Sequence, residues 1–254
     1  MAAFSKNQLH DFLEVAYDKY NRPDFIASDP ISIPHLFSKK EDIEISAFLA
    51  ATIAWGQRPT IIRNAKKLVD MMDLSPYSYV MEASKKDLQG LENFKHRTFN
   101  SIDLTYFISA LRTIYTVHGG MEKIFNKKES IKDALIDFNK MFFSIPHPKR
   151  TEKHVSNPGA GSASKRLNMF LRWMVRNDKR GVDFGIWKSI SPSQLYCPLD
   201  VHSGNVARKL KLLKRKQNDW QATEELTKNL RKFDATDPVK YDFALFGLGV
   251  FEKF

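Results

Sequence analysis

Apolar residues recur at intervals of three and four along nearly the whole 254-residue chain, and strict alternation is almost absent. The first spacing gathers side chains on one face of a helix, whereas a half-buried strand needs a period of two. Leu9, Phe12, Leu13 and Ala16 form the first such stripe. Pro23, Pro30 and Pro34 then mark irregular chain. A second helix is expected from near Lys40 through Ile45, Phe48, Leu49, Thr52 and Ile53 to a break at Trp55-Gly56, and a third carries Ile61, Ile62, Ala65, Leu68, Val69 and Met72. Further helices are expected around 79–81, 103–117 and 131–143, up to about Arg176, from Asp200 to about Leu213, and over 221–231 and 238–246. The chain therefore reads as an all-α protein of roughly nine to eleven helices.

The stretch 146–164 is the most loop-like. It opens with Pro146 and Pro148 around basic residues (Lys149, Arg150, Lys153, His154) and continues as Asn157-Pro158-Gly159-Ala160-Gly161-Ser162. The expectation is one all-helical domain over 1–254, with a subdivision near residue 150 into an N-terminal helical half, 1–150, and a hairpin-containing half, 151–254.

Composition narrows the partners. A hydrophobic fraction of 43% is that of a folded chain. Lys and Arg number 40 against 29 Asp and Glu, a formal net charge of +11. Such a field attracts polyanions, so DNA or RNA is the expected partner, although charge alone also serves solubility. Cys197 is the single cysteine and the seven histidines show no metal spacing, so neither a disulfide, a metal nor a cofactor is expected. The longest apolar run, 45–55, is too short to span a bilayer, and the first ten residues hold no apolar signal core. A cytoplasmic protein without a membrane partner is expected.

Two segments could carry chemistry. In the first, a glycine turn feeds a helix whose free N–H groups suit phosphate. Leu167, Phe170, Leu171, Met174 and Val175 share one face of that helix, and Lys165, Asn168, Arg172 and Arg176 another. The second face reads as a basic stripe that would grip a nucleic-acid backbone, or as an ordinary solvated face. The second segment is Pro198-Leu-Asp200-Val-His202, ahead of a helix with Val206, Leu210 and Leu213. Asp200 sits where an N-cap belongs. A catalytic role would need a cationic centre close by.

Pro198-Leu-Asp200-Val-His202, followed by Arg208 and Leu210, resembles the proline–x–aspartate–x–histidine segment of the helix-hairpin-helix DNA glycosylase superfamily, and Pro158-Gly-Ala-Gly161 resembles its hairpin. The 238–246 helix with Phe246-Gly-Leu-Gly249 is similar to its closing helix, and Trp55-Gly56-Gln57-Arg58 to the early helix pair that carries a DNA-inserting glutamine. The run from Lys165 to Arg176 resembles a bacterial family of unassigned function in the same superfamily. Bifunctional members carry a lysine two residues past the second hairpin glycine; here that position is Ala163, and Lys165 follows two later. The 35 residues from Lys165 to Asp200 are similar to the long gap of the archaeal 8-oxoguanine branch.

The resemblance implies two packed helical halves with a glycine hairpin and a long helix. It also implies a flipped-base mechanism, in which Lys165 attacks the sugar C1′ and Asp200 stabilises the positive charge. Gly159, Gly161 and Ser162 would hold phosphates, with Arg172, Arg176, His202 and Arg208 as further nucleic-acid contacts. Gln57 or Arg58 would fill the vacated stack, and Trp55, Trp173 or Trp187 would stack on the base. The function expected is base-excision DNA glycosylase activity, with or without lyase chemistry. The alternative is a non-catalytic nucleic-acid-binding protein of the same fold, which the displaced Lys165 favours.

Overall fold

The structure, a computed structural model, describes residues 4–126 and 130–254. It is all-α, as the periodicity predicts. The α-helices in order are α1 (Lys6–Tyr20), α2 (Asp24–Ala27), α3 (Lys40–Thr52), α4 (Arg58–Asp70), α5 (Pro76–Glu82), α6 (Lys85–Gln89), α7 (Ser101–Val117), α8 (Met121–Phe125), α9 (Ile131–Phe142), α10 (Lys165–Val175), α11 (Val201–Lys209), α12 (Trp220–Leu230) and α13 (Tyr241–Val250). Among the described residues one hairpin of two-residue strands, β1 (Lys95–His96) and β2 (Phe99–Asn100), interrupts them. Among those residues, too, no helix is long and apolar enough to cross a membrane.

The chain divides into two compact units. One is continuous, Ile26–Ser156; the other joins Met1–Phe25 to Asn157–Phe254. The boundary between Ser156 and Asn157 lies within the loop-like stretch 146–164. The assignment of the first 25 residues to the C-terminal half has no sequence signal.

In the continuous unit α3 is the centre. Every residue from Ile43 to Thr52 is buried. Its Phe48 packs on Phe107 of α7 and on Phe138 and Phe142 of α9, with ring centroids 5.5–5.8 Å apart. Local caps fix where these helices start: the Asn100 side chain accepts from the Ile102 N–H and Ser130 from the Asp133 N–H, each meeting donors that a helix start leaves open.

In the discontinuous unit α13 packs against both α1 and α11. Two glycines two residues apart, and so on nearly opposite sides of a helix, make this possible. A Cβ on Gly247 would lie 2.1 Å from Tyr20 Cδ2 of α1, and one on Gly249 would lie 3.1 Å from the His202 carbonyl oxygen of α11. The helix runs on through Phe246-Gly-Leu-Gly249 to Val250, beyond the expected end at 246. Conversely, α11 stops at Lys209 rather than near Leu213. Lys211 adopts a left-handed φ of 59°, the Leu212 N–H bonds the Ala207 carbonyl at 2.8 Å, and the Lys211 N–H bonds that of Arg208. This is a Schellman closure with lysine where glycine is usual.

Candidate active site

Residues 157–164 form the expected glycine turn, but a closed one. The Asn157 side chain accepts from the Gly159 N–H at 2.7 Å, and the Asn157 carbonyl from the Ala160 and Ser162 N–H groups. The Gly161 N–H bonds the Pro158 carbonyl, and the Gly161 carbonyl accepts from Trp220 at 3.0 Å. Gly161 can close this turn because its φ is +85°. The donors expected to reach phosphate at Gly159, Gly161 and Ser162 are therefore spent on the turn itself. Ser164 then takes a left-handed φ of 48° and leaves α10 without a side-chain cap.

Lys165, the first residue of α10, and Asp200, the N-cap of α11, do come together. Lys165 Nζ lies 3.7 Å from Asp200 Oδ2, and the two side chains are 25% and 26% exposed. The ammonium also faces Met169 Sδ at 3.6 Å. The other carboxylate oxygen, Oδ1, caps α11: it accepts from the Ser203 N–H at 3.0 Å and from its hydroxyl at 3.2 Å. The Asp200 N–H returns a bond to Ser203 Oγ, which completes a capping box. The two readings of Asp200 are thus compatible, with one oxygen structural and the other turned to a cation. Ser203 had no signal as its partner, because a serine three residues past the cap is not the usual box residue.

Behind this pair the supposed basic stripe is buried. Asn168, Arg172 and Arg176 are 1%, 4% and 1% exposed. Arg172 donates to Asp183 Oδ1 at 3.2 Å and to Asp242 Oδ2 at 2.5 Å. Arg176 donates to Asp183 and Asp237, and through Nη2 to Asp178 and the Tyr17 hydroxyl. Neither guanidinium is a surface contact for a nucleic-acid backbone. Both neutralise carboxylates inside the unit, as burial of any charge requires. Asp242 is one of those carboxylates. Asp237 binds Arg176 and makes no side-chain cap at Pro238.

Burial pushes the Asp242 carboxyl up to about 6, against the lowering charges of Arg172 and Lys165 and with the raising charge of Asp200. Burial likewise drives the Cys197 thiol well up, and Asp242, Arg172 and Asp200 act on it as well. A carboxyl raised above its usual 3.8 contributes stability that is fully present below that value and lost as pH rises through about 6. The wild-type unfolding free energy should therefore lose on the order of 2–3 kcal/mol across that window through Asp242. Asp242→Asn, which keeps an acceptor for Arg172, should remove that slope. Urea unfolding at a series of pH values measures it, and parallel curves for the two proteins would contradict the assignment.

The other expected contacts are dispersed. His202 is exposed in the first turn of α11. Arg208 is half-buried, its Nε donating to the Arg215 carbonyl and its Nη2 to Asn218. Trp173 and Trp187 are core residues at 0% and 1% exposure, not stacking platforms. Gln57 and Arg58 belong to the continuous unit. Gln57 is exposed at the start of α4, and Arg58 reaches the Ser28 carbonyl. Trp55, half-buried in the same unit, stands edge-on to His96 and is stacked on His154. Among the described residues no group of three or more His, Cys, Asp or Glu side chains is arranged to hold a metal ion.

A family model described as "Protein of unknown function (DUF2400)" matches residues 29–251. No curated protein and no solved structure matches the chain.

Proposed function

We propose that this chain, which belongs to the DUF2400 family, is a base-excision DNA glycosylase with lyase activity, acting on an oxidised or otherwise altered base. The observation that carries the reading is the 3.7 Å approach of Lys165 Nζ to Asp200 Oδ2, across 35 residues of sequence, at a position that solvent still reaches. The net charge of +11 supports a polyanionic substrate.

The chemistry needs the target nucleotide out of the base stack. The Lys165 ammonium gives a proton to solvent, and the freed electron pair attacks the sugar C1′ while Asp200 stays an anion. The new N–C1′ bond forms as the glycosidic bond breaks, and the base leaves with the electron pair of that glycosidic bond and takes up a proton from water. Positive charge that develops on the sugar falls beside Asp200, whose orientation is fixed in advance by the two Ser203 hydrogen bonds. An amine proton then passes to the ring oxygen as the C1′–O4′ bond breaks and the nitrogen pair forms a C=N bond, which gives an open-chain iminium that hydride can reduce. A binder of the same fold without catalysis would need no such pair.

Borohydride trapping tests this on duplex oligonucleotides that carry 8-oxoguanine, uracil or an abasic site. The wild type should form a covalent adduct with at least one of them. Lys165→Gln should form none while it still binds the duplex. No adduct and no base release by the wild type, with the duplex still bound, would make the protein a non-catalytic binder.

A further inference from the structure

The hairpin β1–β2 lies far from Lys165 and Asp200 in sequence and has no part in the chemistry above. Two-residue strands do not hold a hairpin by themselves. This one is locked from below. His96 and Phe99, a cross-strand pair, are buried. The His96 ring bonds Asn64 at 2.9 Å and the Trp55 carbonyl at 3.1 Å. Phe99 packs edge-on to Phe107 and His154. Arg150 clamps the far side: it donates to the Thr98 carbonyl at 2.9 Å and the Asn100 side chain at 2.7 Å, and pairs with the buried Asp103.

What this scaffold holds outward is cationic. Lys95, Arg97 and Thr98 are exposed, and among the described residues no carboxylate pairs with Arg97 or Lys95. Arg97 has a left-handed φ of 54°, a conformation that a non-glycine residue adopts at a cost. Its guanidinium lies over Gly56. A Cβ there would stand 2.9 Å from Arg97 Nη1, and the Gly56 φ of +111° also disfavours any side chain. Arg172, Arg176, Arg208 and Arg215 are bonded within the protein. Arg97 is instead held in a strained backbone, over a cleared site, without a counter-charge. The turn Lys149–His154 that supplies Arg150 adds exposed Lys153, while its Glu152 is taken up by His147.

We infer that the Arg97 hairpin is a phosphate-backbone contact through which the protein holds duplex DNA. The guanidinium fork matches two oxygens of a phosphodiester, and several cations on a rigid frame suit a repeating anionic chain. A protein partner would need an apolar centre in the patch, and the outward residues of the hairpin are all polar. The inference takes its partner from the proposed function but not its geometry.

The test is equilibrium binding of a fluorescent duplex to the full chain across a range of salt concentrations. Arg97→Gln keeps the turn, because Gln meets the same backbone cost as Arg. It should weaken binding by about tenfold and reduce the slope of log K against log salt by about one. Arg97→Lys should fall between the two. Affinity and slope equal to wild type, no binding by the wild type, or displacement of the duplex by polyglutamate as readily as by unlabelled DNA would each overturn the inference. Trapping is read on the same preparations. A Lys165-dependent adduct without an Arg97 effect removes this contact and leaves the lyase reading standing. A change of slope without an adduct does the reverse.

Discussion

Arg176→Met should destabilise the discontinuous unit by about 3–5 kcal/mol, the usual penalty for breaking a buried ion pair from one side. Methionine fills much of the same volume but brings no charge and no donors. Asp183, whose side chain is fully buried, would keep only Arg172, Asp237 would lose its guanidinium, and Asp178 would keep only the more distant Arg180, at 4.0 Å. Burial alone would lower the Arg176 pKa, but Asp183, Asp237, Tyr17 and Asp178 overcome it and raise it. The effect on Asp178 is reciprocal. Burial alone would raise its carboxyl, yet Arg176 holds it down at about 2. The loss is read as the shift in urea midpoint, followed by the fluorescence of the buried Trp173 and Trp187. Arg180→Gln is the matched control. Its pair with Asp18 is solvent-exposed and should be worth less than about 1 kcal/mol. Equal midpoints for Arg176→Met and wild type would mean that the network adds nothing to stability.

The second large effect is on activity. Asp200→Asn should lower the single-turnover rate of base release by about 10²–10⁴-fold, the range of a lost acid–base or charge-stabilising group. The melting temperature should barely move, because asparagine caps a helix as well as aspartate. Its Oδ1 can still accept from Ser203. What changes is the group facing Lys165, from an anion that stabilises positive charge to a neutral amide. Asp200→Ala should lose the activity and also about 1 kcal/mol of stability, with the cap. A wild-type rate in Asp200→Asn would reduce Asp200 to its cap.

Local rules made the helices legible. Caps, prolines and the three–four spacing placed α1, α3, α4, α7, α9, α10 and α12 close to their observed positions. They missed wherever a terminus uses an unusual residue, as at Lys211, whose left-handed turn closes α11 without glycine. The hairpin β1–β2 escaped because a strand of two residues has no period to detect. At the site, Lys165 and Asp200 were legible through resemblance and capping chemistry. The burial of Arg172 and Arg176 was not. A helix stripe of polar residues looks the same whether it faces water or carboxylates supplied from Asp183, Asp237 and Asp242. The glycine turn was placed correctly, but its closure on Asn157 depends on side-chain geometry that composition does not carry.

The division of the chain into a continuous and a discontinuous unit bears on the order of its assembly during synthesis. The segment Ile26–Ser156 is complete once its last residue clears the ribosome. Its neighbour must wait. The residues of α1 emerge ahead of the continuous unit, yet the partners of Tyr17 and Tyr20, Arg176 and α13, are translated more than 150 residues later. Until then the apolar stripe of α1 has nothing of its own unit to cover it, and the window for misassociation stays open until α13 is made. The late-forming contacts are long-range in sequence, which slows closure of a unit even when its helices form quickly. Synthesis of α13 is therefore what lets α1 dock.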